Sequence, residues 1–141
     1  MQLRPDRDAA WFNEIGLEHF PAVVGIDVIA VEQGSVRVEL PLRPELFAPN
    51  GFLHAGAVVT LADSAAGYGT VAHLPEGATG FTTLELKANF LRAAREGTLD
   101  CVAEAVHLGR STHVWDATVR ADGHERPVAL FRCTQLILYA A

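Results

Sequence analysis

The chain has 141 residues, half of them hydrophobic and 20% charged, with a formal net charge of −6. That length and apolar content fit one folded domain over residues 1–141 and exclude a disordered tail. The acidic balance argues against non-specific nucleic-acid binding. No apolar run is long enough to cross a bilayer, and the N-terminus lacks the apolar core of a signal peptide.

Asp8 to Leu17 reads as a short amphipathic helix with Trp11, Phe12 and Ile15 on one side, inside an N-terminal helical segment spanning 1–20. Two strand-like runs follow, "VVGIDVIAVE" and "SVRVELPL", joined at Gln33-Gly34-Ser35. "ELFAPNGF" is a loop, punctuated by Pro49 and Asn50-Gly51. A long apolar helix is expected from near Ala55 to around Gly67–Gly69. Further strands are "TTLELKANFLRAA", "TLDCVAEAVH", "STHVWDATVRA" and "PVALFRCTQLILYA". Turn signals at Glu96-Gly97, Leu108-Gly109-Arg110 and Asp122-Gly123 separate these last four. Short links favour hairpins and an antiparallel meander, because a parallel sheet needs a helix at each crossover. The expected class is α+β, with one strongly curved antiparallel sheet wrapped around one main helix. Cys101 and Cys133 lie inside strands without metal-ligand spacing, so both read as buried free thiols of a reducing, cytoplasmic setting.

The helix "AGAVVTLADSAAGYG" carries a single acid. At about 100° per residue, Gly56, Thr60, Asp63, Gly67 and Thr70 share one stripe, while Val58, Leu61, Ala62, Ala65 and Tyr68 form the core face. The stripe has no Lys, Arg or Glu. It could be a solvent face, or Asp63 could cap a separate helix "DSAAG". Small residues beside one acid also suit the close approach of a ligand or another backbone. The N–H groups around Ala55 and Gly56 are free to polarise a carbonyl oxygen. Asp63 lies seven residues on, about 10 Å along the axis, too far to serve the mouth of its own helix. Two antiparallel helices across a two-fold axis would bring the aspartate of one chain to the mouth of the other. His54 precedes the helix, either fixing the turn or touching the leaving group. Asn50 reads as a turn residue or as a group that positions a water or the carbonyl.

"NGFLHAGAVVTLADSAAG" followed by "TTLELKANFLRAAREGTLDCVAEAVHLGRS" resembles the hotdog-fold acyl-CoA thioesterases of the phenylacetate-degradation (PaaI-like) type. The resemblance covers roughly Val36 to the C-terminus. It implies a hotdog fold, hydrolysis of an acyl- or aryl-CoA thioester to free acid and coenzyme A, and a dimer or a dimer of dimers. It requires no metal and no cofactor beyond the coenzyme A of the substrate. Residue by residue, Asp63 matches the catalytic carboxylate, as nucleophile or as general base on water. Ala55 and Gly56 match the pair whose N–H groups hold the thioester oxygen, and Thr83 matches a polar position that orients the water. Gly109, Arg110 and Ser111 match a turn near the coenzyme A nucleotide, with Arg92 and Arg95 as further cationic candidates. Phe52, Tyr68, Phe81 and Phe90 are the candidate acyl-pocket walls. Two positions depart from the pattern: Ala55 replaces the first glycine of the usual pair, and Ala48 stands where an Asn or Gln is common.

Two rivals share the fold. A non-catalytic binder of acyl-CoA or another small ligand needs no Asp63. A hydratase or dehydratase is suggested only by "EHFPAVVG", which lacks the residues that should follow and precedes the first main strand.

Overall fold

The computed structural model describes residues 1–140. Six strands, β1 (Asp27–Glu32), β2 (Ser35–Pro41), β3 (Ala78–Phe90), β4 (Thr98–Leu108), β5 (Thr112–Ala121) and β6 (Ala129–Tyr139), form one antiparallel sheet in the order β1-β2-β4-β5-β6-β3. Helix α3 (Ala55–Ala72) lies against it, and α1 (Ala9–Gly16) and α2 (Phe20–Val24) precede it. This is the hotdog architecture expected.

The core lies between α3 and the inner face of the sheet. Leu61, Ala65 and Ala66 on the helix are fully buried, facing Val36, Val38, Cys101, Trp115 and Val119 on the strands. β5 shows the underlying pattern: His113, Trp115, Ala117 and Val119 point inward and their neighbours point out, the two-residue period of a half-buried strand. Gly69 is needed where Trp115 crosses the helix, because a Cβ there would come within 2.6 Å of the indole Cη2.

Four expectations are corrected. Val23 and Val24, read as the start of a strand, end helix α2. Pro21 sits in its first turn, where no N–H is required, Gly25 at φ 92° closes it, and the Arg43 guanidinium donates to the carbonyls of Val23 and Val24. Helix α3 continues past Gly69 to Ala72, since glycine weakens a helix without ending it when both sides are packed. Thr70 leaves the open stripe and is fully buried.

The fourth correction concerns connectivity. β4, β5 and β6 form the expected meander, but β3 pairs with β6 at the far edge and β4 pairs with β2. Residues 91–97 therefore cross the sheet rather than turn a hairpin. Seven extended residues reach about 24 Å, ample for three strand spacings of about 4.8 Å. Gly97, at φ 82°, ends the crossing, where its carbonyl accepts from Leu42 N–H.

Candidate active site

The first part of the site is the mouth of α3. His54 is the N-cap, and its Nδ1 accepts from Gly56 N–H at 2.8 Å. Its backbone N–H donates to the Leu46 carbonyl at 2.9 Å, so the residue is tied to the loop through its backbone and to the helix through its ring. Gly56 is required here, because a Cβ would meet His54 Nδ1 at 2.8 Å. The two N–H groups at the mouth are thus unequal: His54 takes that of Gly56, while Ala55 N–H makes no hydrogen bond among the described residues. The mouth faces a cavity of about 350 Å³ whose walls include Phe20, Val24 and Phe47. Asn50 Oδ1 accepts from Phe52 N–H at 3.2 Å, which closes the turn through Gly51 at φ 80°. The Asn50 oxygen is therefore engaged in the loop.

The second part is Asp63. Its Oδ1 is buried and has no hydrogen-bond partner among the described residues. Burial holds its pKa above the ordinary carboxylate value. The carboxyl lines a pocket of about 270 Å³ with Thr83, Phe81 and Tyr68, closed by Phe12 and Ile15 from α1. Phe12 is buried against the Tyr68 ring, with centroids 4.6 Å apart. Gly67 leaves room for Phe81, whose Cζ would lie 3.3 Å from a Cβ at that position.

A β-bulge aims the strand side of this pocket. The β3–β6 register slips between Thr83 and Glu85, so Thr83 pairs with Gln135 and Leu86 pairs with Cys133. Phe81 and Thr83 therefore share the inner face with Leu86, Ala88 and Phe90, although the step from Thr83 to Leu86 is three positions, an odd offset. Without the extra residue, Thr83 would point away from Asp63.

The other candidates lie elsewhere. Phe52, Phe90 and Arg92 line a separate cavity of about 330 Å³, with the Arg95 guanidinium 5.4 Å from the Phe52 ring centroid. The four aromatic candidates thus divide into two pairs. The turn Gly109–Arg110–Ser111 is pinned to β6: Tyr139 Oη donates to the Arg110 carbonyl at 2.6 Å, and Ile137 N–H to that of Ser111 at 2.9 Å. β3 and β6 are antiparallel, with Phe90 opposite Ala129 and Ala78 opposite Tyr139. Arg92 and Arg110 therefore stand at opposite ends of β3, about 40 Å apart along the strand.

Residues 50–128 match the family model described as the thioesterase superfamily. The chain belongs to that superfamily. This thioesterase-superfamily member is 35% identical over 111 residues to the 1,4-dihydroxy-2-naphthoyl-CoA hydrolase of Listeria monocytogenes, covering 79% of this chain and 89% of the relative. A mutant thioesterase, PA1618, from Pseudomonas aeruginosa superposes with a TM-score of 0.90 at 31% identity, covering 98% of this chain and 99% of that one. The PaaI protein of Escherichia coli shares the fold, with a TM-score of 0.80 at 24% identity over 94% of this chain and 95% of that one. The family and its hydrolase-named relatives make this chain a thioester hydrolase.

The sequence reading missed three features of this superfamily member's pocket. α1 supplies Phe12 and Ile15, and periodicity shows that they share a face but not where it docks. Gln135, fully buried, donates from Nε2 to Cys133 Sγ and accepts from the Thr83 hydroxyl. Its signal was present: Gln135 occupies an inward phase of β6, between Cys133 and Ile137. Cys133 also lies near Asp63. Burial foremost, and then the Asp63 charge, push its thiol up to about 12, so it stays protonated. Among the described residues, no three His, Cys, Asp or Glu side chains converge to hold a metal. Among the described residues, no helix is long and apolar enough to cross a membrane.

Proposed function

We propose that this chain is an acyl-CoA thioesterase in which Asp63 acts as general base on water, at a site shared between two copies. One observation carries the reading. Asp63 lines an apolar pocket and has one buried, partnerless carboxylate oxygen, while the mouth of its own helix opens on a different cavity. A second copy supplies the missing half. β3 is a 13-residue edge strand with one free side, and Leu84, Leu86 and Phe90 on it are exposed. Such an edge invites pairing with another strand. Antiparallel pairing of β3 with its copy sets the Arg92 end of one chain beside the Arg110 end of the other. The cationic candidates that one chain holds apart then converge on one coenzyme A.

Hydrolysis follows from these parts. The thioester carbonyl oxygen faces the α3 mouth of one copy, where Ala55 N–H is uncommitted and the helix dipole favours negative charge. Asp63 of the other copy removes a proton from water as the water oxygen attacks the carbonyl carbon. When the tetrahedral intermediate collapses, the C–S bond breaks and Asp63 returns the proton to sulfur. The acyl group occupies the Tyr68–Phe81 pocket behind Asp63. Its aromatic walls favour a flat acyl group, as in the relatives named for 1,4-dihydroxy-2-naphthoyl-CoA.

The test is thiol release from benzoyl-, phenylacetyl- and straight-chain CoA esters of short, medium and long chain. Aryl esters are expected to turn over best. Binding of coenzyme A esters without release of thiol would establish the rival binder. The shared site is tested by mixing two inactive variants, Asp63→Asn and Gly56→Val, after reversible dissociation. Half of the random dimers are mixed, and each has one intact site, so about a quarter of wild-type activity returns. No recovery in verified mixed dimers would place the whole site in one chain.

Arg110→Ala is expected to raise KM for CoA esters by roughly tenfold with little change in kcat, as for a lost charge-assisted phosphate contact. N-acetylcysteamine esters, which lack the nucleotide, should be unaffected. An equal effect on both substrate types would remove Arg110 from the nucleotide site.

A further inference from the structure

We infer that Gln135 is a positioning residue that sets the direction of the Thr83 hydroxyl and so makes Thr83 a hydrogen-bond acceptor toward the attacking water. The inference rests on the general-base reading above.

Thr83, Gln135 and His113 are register partners on the adjacent strands β3, β6 and β5. They form a polar row on the inner face of an otherwise apolar sheet. Gln135 is fully buried, yet an amide able to make about four hydrogen bonds makes two. The stronger is to Thr83, whose Oγ1 donates to Gln135 Oε1 at 2.8 Å. The other runs 3.3 Å from Gln135 Nε2 to Cys133 Sγ. With Nε2 on Cys133 Sγ, the amide oxygen faces Thr83.

A buried amide so poorly satisfied is a costly way to fill space, and a methionine of similar shape would pack at less cost. What the amide does is settle one proton. A threonine hydroxyl has a single hydrogen, and here Gln135 receives it. Only the lone pairs of Thr83 then face the pocket. A water there gives one hydrogen to Thr83 and the other to Asp63, which leaves its own lone pair directed at the thioester carbon. Without Gln135, the hydroxyl is free to turn and donate to the adjacent Asp63 carboxylate. That contact would favour the ionised carboxylate, weaken it as a base and release the water.

The experiment measures kcat, KM and the acid limb of the pH–kcat profile for Thr83→Val, Thr83→Ser, Gln135→Met and Thr83→Val/Gln135→Met. Gln135→Met is expected to lower kcat roughly tenfold, leave KM within about twofold and move the acid limb to lower pH. The double variant should lose no more than Thr83→Val alone, the non-additivity of two residues acting through one hydroxyl. Thr83→Ser should restore most of the rate. Thr83→Val, made on the edge strand and independent of how the core tolerates methionine, should lower kcat without moving the acid limb. An acid limb raised by Thr83→Val would show the hydroxyl already donating to Asp63 and overturn the inference. Additive losses in the double variant would overturn it equally. Turnover that survives Asp63→Asn would instead overturn the general-base reading, and this inference with it.

Discussion

Asp63→Asn is expected to lower kcat for thioester hydrolysis by about a hundredfold or more, the usual scale for a lost general base, while raising the thermal midpoint at neutral pH. The two effects share one cause. Burial raises the folded-state pKa of Asp63 and leaves Oδ1 without a partner, so the ionised carboxylate is held at a cost. In sign, a carboxyl whose folded pKa exceeds its unfolded value contributes stability that is present below the unfolded pKa. That contribution is lost as pH rises through the folded value. Near pH 7 the wild-type protein carries this penalty and the asparagine variant does not. Calorimetric unfolding beside thiol-release kinetics checks both. Near-normal turnover by Asp63→Asn would refute the mechanism. A lower midpoint would show that the carboxylate has stabilising partners in the assembled protein.

The second large effect is acid destabilisation from inside the core. His113 is fully buried, and neither ring nitrogen has a hydrogen-bond partner among the described residues. Burial first, then His73 and the N-terminal amine, lower its pKa to about 4; the Gly109 backbone opposes them, and His107 adds the smallest lowering. His73 is also lowered, chiefly by burial. Its Nε2 accepts from Gly34 N–H at 2.9 Å and its Nδ1 pairs with the Gly69 carbonyl at 2.8 Å, which fixes the neutral tautomer. A histidine with a depressed folded pKa leaves stability intact above its unfolded pKa of about 6.5 and removes it as pH falls toward the folded value. Between about pH 6.5 and 4, the fold should lose up to about 3 kcal/mol through His113 alone, a large part of an ordinary domain's stability. Urea midpoints measured across that range should fall with pH, and His113→Gln should flatten the slope. A midpoint unchanged between pH 7 and pH 5 would show that the ring is not held neutral.

The parts of this molecule that were legible in the sequence are those set by local periodicity. Helix α3 announced its core face through Leu61, Ala62 and Ala65, and β4 to β6 announced their meander through short turns. Fixing the turn was one of two readings of His54, and its bond to Gly56 N–H matches that one. What was not legible depends on register and long-range pairing. Strict alternation from Leu84 to Phe90 puts Phe81 and Thr83 on the wrong face, and only the bulge restores them. Thr70 sits on the same helical stripe as Asp63, but it lies at the end of α3 that meets Trp115 and the N-terminal segment, and it is fully buried. Arg92 and Arg110 looked like one cationic set, although a single chain holds them at opposite ends of β3. Pro21 in the first turn of α2 and Gly25 just after it were present as signals but were overridden by its two valines.

The strand order also governs how the chain must fold. Ser35 pairs with Glu104, and Ala78 with Tyr139. These ladders join segments more than sixty residues apart at their outer ends. Only β1–β2, β4–β5 and β5–β6 can close as local hairpins. α3 packs on β2, β4, β5 and β6, so its full burial waits until the β2–β4 ladder joins the two local hairpins. Refolding is expected on the millisecond-to-second scale of topologies dominated by non-local contacts, slower than for a helical bundle of equal length. During that interval the apolar edge strand β3 is exposed, and its first partner in a crowded solution is set by concentration as much as by sequence.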